Sequence, residues 1–94
     1  MKPATKKLRE VLRGMGVQPR QVRTDPPLGG TTATIFDEDS IASVVDHIPS
    51  LVEAGYGVVI RRFEDGTPHH ALVTTDPRRA GVSDITATPI GGAR

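Results

Sequence analysis

The sequence predicts an α+β fold, a mixed or antiparallel sheet of four or five strands packed on a central amphipathic helix, with a second amphipathic helix at the N-terminus. Three observations predict it. Residues 31–36 are a β-branched run; Ile41, Val44, Val45, Ile48, Leu51 and Val52 then recur at i, i+3, i+4, i+7, i+10 and i+11; residues 58–63 follow as a second short apolar run. The helical stripe needs a cover, and strands before and after it supply one.

In chain order, residues 4–15 read as a first helix. Ala4, Leu8, Val11, Leu12 and Met15 share one face, and Lys2, Lys6, Arg9 and Arg13 share another, centred about 150° away. Gly14 and Gly16 supply the stop, because glycine takes the left-handed C′ conformation without a Cβ clash. Residues 20–25 alternate weakly around Val22, an edge-strand pattern, and the turn-rich residues 26–30 (Pro26, Pro27, Leu28, Gly29, Gly30) cannot extend a ladder. In residues 31–36, Ala33 and Ile35 point one way and Thr32, Thr34 and Phe36 the other. Asp37 or Asp39 caps the central helix, and Asp37, Glu38 and Asp39 together suit its positive N-terminus. Pro49 removes a backbone donor inside the pattern, so two joined helical pieces are expected, ended by Gly55 and Gly57 around Tyr56. Residues 58–63 and 69–75 flank turn chemistry at 64–68 and read as a hairpin; 76–81 is a loop, 83–90 a last strand and 91–94 a flexible tail.

Ninety-four residues suit one small domain, divided here into a basic helix (1–19), an α+β body (20–90) and the tail (91–94). Leu, Ile, Val and Phe number 23, enough for a folded core. Aromatics are few, with Phe36, Phe63 and Tyr56 only, so no stacking platform for bases is visible and single-strand binding is not expected. The lack of cysteine excludes disulfides, thiolate nucleophiles and Cys-based metal sites. Residues 1–30 carry no signal-peptide h-region and no run suits a membrane span, so a cytoplasmic location without membrane contact is the expectation. Charge is segregated: residues 1–23 carry seven Lys or Arg against Glu10 alone, and residues 24–56 carry six carboxylates and no Lys or Arg. These are either mutually screened or solvated faces, or the basic start finds an anionic partner.

No constellation announces catalysis. His69 and His70 are adjacent, and neighbours on a strand point to opposite faces, so they are not expected to chelate one ion; His47 lies on the helix. Residues 28–32 lack the lysine of a phosphate loop and precede a strand instead of a helix. Nothing sets a histidine beside Ser40, Ser43, Ser50 or Ser83 to activate a nucleophile. The chain is read as a non-enzyme without cofactor or metal. The stripe Lys2, Lys6, Arg9 and Arg13, extended by Lys7, Arg20 and Arg23, suits phosphates and salt-sensitive binding. A winged-helix variant fits poorly, because its recognition helix, residues 50–56, carries Glu53 and no Arg or Lys.

The motif Asp39, Ser40, Ile41, Ala42, Ser43, Val44, continuing to Ile48, set between a hairpin and strands and followed by Gly91 and Gly92, resembles the helix and tail of ubiquitin-like β-grasp proteins. The resemblance covers residues 20–92. It implies a modifier or sulfur carrier whose Gly92 carboxylate is adenylated and passed on as a thioester or thiocarboxylate, the two glycines threading a narrow active site for want of Cβ atoms. Three departures stand against the pattern: Ala93 and Arg94 would have to be removed first, Pro89 sits in the last strand, and Arg61 and Arg62 occupy the middle strand where the family shows an apolar patch. The expected function is therefore protein–protein binding, with Gly91 and Gly92 as the carrier site. One alternative is a small regulator binding nucleic acid through Lys2, Lys6, Lys7, Arg9 and Arg13; another is an adaptor or inhibitor of a specific host protein.

Overall fold

The structure is a computed structural model that describes residues 3–25, 30–76 and 79–86. Its elements are α1 (Pro3–Gly14), β1 (Gln21–Asp25), β2 (Gly30–Ile35), α2 (Glu38–Asp46), α3 (Ile48–Glu53), β3 (Gly57–Arg62), β4 (Pro68–Thr74) and β5 (Gly81–Thr86). Lys2, the turn at 26–29, the end of the predicted last strand with Pro89, and Gly91 and Gly92 lie outside the described residues.

Local chemistry explains where the helices begin and end. Asp37 caps α2, its Oδ2 accepting from the Ser40 N–H at 3.0 Å, so of the two candidate caps it is Asp37 that serves. Pro49 falls in the first turn of α3, where the missing N–H has no partner to lose; the helical pattern breaks at His47 into two pieces as expected. Helices α1 and α3 close in the same way. Val17 N–H donates to Leu12 O and Gly16 N–H to Arg13 O; Tyr56 N–H donates to Leu51 O and Gly55 N–H to Val52 O. Gly16 and Gly55 take φ of +77° and +96° at the C′ positions. In each motif the residue after the glycine, Val17 or Tyr56, is buried with its partner Leu12 or Leu51.

The five strands form one mixed sheet in the order β1-β2-β4-β3-β5. Neighbours are antiparallel except β3 and β5, which run parallel. From β2 the chain crosses through α2 and α3 to β3, two places away, and the hairpin partner β4 fills the gap. The loop after β4 passes the start of β3 to reach β5.

All three helices contact the sheet, with α1 against β1 and β2, α2 against β4, and α3 against β3 and β5. The core between the layers comprises Leu8 and Leu12 of α1, Ile41 and Val44 of α2, Leu51 of α3, and the strand residues Ala33, Ile35, Val58, Ile60, Ala71 and Val73. Ile48 and Val22 pack at its margin. The stripe residues Val45 and Val52 are exposed, because each short helix buries only the part of the stripe that meets the sheet. No described helix is long and apolar enough to cross a membrane.

Candidate functional site

With the helices on one face, strand alternation assigns the other. Gln21 and Arg23, Thr32 and Thr34, Leu72 and Thr74, Val59 and Arg61, and Ser83 and Ile85 lie on the face that no described helix covers. None of these is a carboxylate, whereas Asp37, Glu38, Asp39, Asp46 and Glu53 belong to the α2 and α3 region.

The chemistry of this face concentrates where β2 ends and the β3–β4 hairpin turns. Arg61 pairs with His70 but Arg62 pairs with Pro68, so β4 holds one extra residue, His69. A bulge of this kind sets two residues against one and breaks the two-residue alternation. Both imidazoles thus come together, with ring centroids 4.7 Å apart and Nδ1 hydrogen-bonded to Nδ1. One Nδ1 must donate and the other accept, so the pair shares a single proton at this contact. This corrects the expectation that neighbouring histidines point apart. A two-imidazole pair is still not a chelating cluster: among the described residues no three His, Asp or Glu side chains converge as metal ligands. His47 sits apart on the helical side, its Nδ1 2.8 Å from Ser43 O.

Aromatic rings extend the pair in both directions. Phe63 meets His69 edge-on at 4.8 Å, and Phe36 lies 5.7 Å from His70. The Arg20 guanidinium stacks over Phe36 at 5.3 Å. Phe36 and Phe63 are 43% and 50% exposed, large for phenyl rings unless something covers them in use. Partial burial, then the neighbouring His69, then Arg61, hold His70 below the usual histidine pKa. Arg62 is held differently: Nε and Nη2 reach the Asp84 carboxylate at 2.8 and 3.2 Å and Nη1 reaches Gly66 O at 3.2 Å, tying β5 and the hairpin turn to β3. That fork and the charge of Asp84 raise the Arg62 pKa.

Shallow depressions link these groups into a track. A pocket of about 330 Å³ is walled by Phe63, His69, His70, Arg61, Arg62 and Ile85. It shares Arg61 and Ile85 with a neighbour that adds Arg79. Across the Phe36–His70 contact lies a third, lined by Arg20, Phe36, Asp37, Gln18 and Pro19, and the last two residues also line a fourth with Arg9 and Arg13. The track therefore runs from the β5 side over the hairpin end and round to α1.

Of the sequence-derived basic face, Arg9 and Arg13 line the track; Lys6 and Lys7 are exposed on α1 but do not, and Lys2 lies outside the described residues. The proposed carrier residues Gly91 and Gly92 also lie outside them. Sequence reading missed Phe36, Phe63, His69, His70 and Arg79 as one group. The available signal was the parity of Phe36 with Thr32 and Thr34; the bulge that gathers the histidines has no comparable signature. Compared with models of known families, with curated proteins and with solved structures, the chain matches none.

Proposed function

We propose that this chain is a non-catalytic protein that acts by binding, and that its binding surface is the sheet face left uncovered by the helices. The observation that carries the reading is the row Arg20, Phe36, His70, His69 and Phe63, in which exposed rings contact one another and an arginine without closing a core. Exposed phenyl rings set among imidazoles and capped by an arginine are characteristic of recognition surfaces, whereas a face with only structural duties gains nothing from them. A photo-crosslinking residue introduced at Phe63 in the producing cell should form adducts, and one at Val52, on the helical layer and 37% exposed, should not. Equal yields, or adducts at Val52 alone, would reject this assignment.

A second reading is a ubiquitin-like β-grasp carrier acting through Gly92. Its support is the Asp39 to Ile48 motif, whose Ile41 and Val44 form part of the core, and the order of hairpin, helix and mixed sheet. Mass spectrometry of protein recovered from its host should then find the chain ending at Gly92, as a free carboxylate, a thiocarboxylate or a conjugate. Recovery of intact, unmodified Arg94 alone would remove this reading.

A further inference from the structure

We infer that the track is a site for single-stranded nucleic acid, with bases stacked on Phe36 and Phe63 and phosphates held by Arg9, Arg13, Arg20, Arg61 and Arg79. The inference rests on the proposed binding role of the uncovered face and names its ligand.

Charge complementarity is the first argument. Among the described residues these five arginines enter no ion pair, while Arg62, the sixth on the track, is engaged by Asp84. Among the described residues the only carboxylate lining the track is Asp37, whose Oδ2 accepts from the Ser40 N–H as the cap of α2. A surface this rich in guanidinium suits a polyanion, because each phosphate neutralised releases condensed counterions.

The rings decide which polyanion. Heparin-like chains and acidic peptides would use the arginines and leave Phe36 and Phe63 in water. Nucleobases use both, because any base has a π-face and stacks without a sequence requirement. The geometry favours a single strand. The row runs from Arg20, just before β1, over Phe36, just after β2, to His70 of β4 and its partner Arg61 of β3, about 15 Å across at ordinary strand spacing. Bases splayed along such a row must be unstacked and accessible; a duplex buries them and would ask for an element that enters a groove, which a flat sheet face does not provide. The sparse aromatic content, which by count discouraged a stacking platform, is compatible with one because two of the three aromatic residues end beside it.

The test uses the full chain and fluorescence anisotropy with labelled oligothymidylate and oligouridylate, a labelled duplex and polyglutamate. The inference expects single strands to bind more tightly than duplex or polyglutamate, with a log–log salt slope of about −3.5 if all five arginines meet phosphates. Phe36→Ala and Phe63→Ala should each weaken binding roughly tenfold and leave the salt slope unchanged. Arg20→Gln and Arg61→Gln should each reduce the slope by about 0.7. All four positions are exposed, and circular dichroism of each variant checks that the fold is kept. Absent binding of single strands, or binding indifferent to both phenylalanines, overturns the inference. Crosslinking at Phe63 but not Val52, together with either result, would leave the binding face standing and discard only the ligand. Equal crosslinking at both would discard the face itself.

Discussion

The carbonyl oxygen of Arg79 occupies the space where a Cβ on Gly57 would stand. This contact is how the chain passes from β4 to β5: the loop must cross the start of β3, and it does so by lying directly on a residue with no side chain. Gly57→Ala should therefore displace the backbone of the crossing rather than a flexible side chain. A loss of about 3 kcal/mol is expected, on the order of 15 °C in Tm, with hydrogen exchange in β5 accelerated more than in β2. A variant as stable as the parent would show that the crossing has room to spare.

Gly16 and Gly55 hold positive φ with open space around them, so their role is conformational and not steric. Alanine at either should cost about 1 kcal/mol, the strain of a left-handed L-residue. The two lie in different helix ends, so the double variant should show the sum in urea unfolding.

Ile41 and Val45 belong to one sequence stripe but differ in depth, Ile41 buried in the core and Val45 38% exposed. Ile41→Ala should cost roughly 2–5 kcal/mol and Val45→Ala less than about 1. Similar losses at both positions in thermal unfolding would contradict the way α2 faces the sheet.

His70 should make the fold acid-sensitive. Burial, His69 and Arg61 depress its pKa, so the folded chain favours the neutral ring and the unfolded chain binds the proton more readily. The stabilisation is complete above the ordinary histidine value of 6.5 and is lost as pH falls from there through the lower folded value. Tm measured from neutral to mildly acid pH should fall less steeply in His70→Gln than in the parent. Parallel pH profiles would deny His70 this part.

Thr74 is buried within a small polar network. Its Oγ1 lies 2.7 Å from Thr32 Oγ1 and accepts from the Asp76 N–H at 3.0 Å, and next to it Thr31 N–H donates to Thr75 Oγ1 at 2.8 Å. Thr74→Val keeps the shape and strands a buried N–H, so a loss of about 1–3 kcal/mol is expected. Thr34→Val, half-buried on the same face with no such network, should cost much less in the same unfolding assay.

Short-range features proved readable from the chain. The Asp37 cap, the break at Pro49, the glycine stop after the first helix and the parity of Ala33 and Ile35 each depend on residues within a turn of one another, where backbone sterics and local hydrogen bonds decide the outcome. The candidate site was readable only in part: Arg9, Arg13 and Arg20 stood out in the basic set, while Phe36 and Phe63 read as the last residues of two separate strands and Arg79 as part of a loop, with nothing local to join them.

What the sequence determined by itself is the set of elements, the capped ends of the helices and the apolar side of the helices and of β2, because those follow from the local backbone and its periodicity. Tertiary structure alone decided that β4 lies between β2 and β3, that β5 pairs parallel to β3, and that an extra residue in β4 turns His69 and His70 toward each other. Strand neighbours and bulges are chosen by the total burial and hydrogen bonding of the closed sheet, to which residues far apart in the chain contribute together.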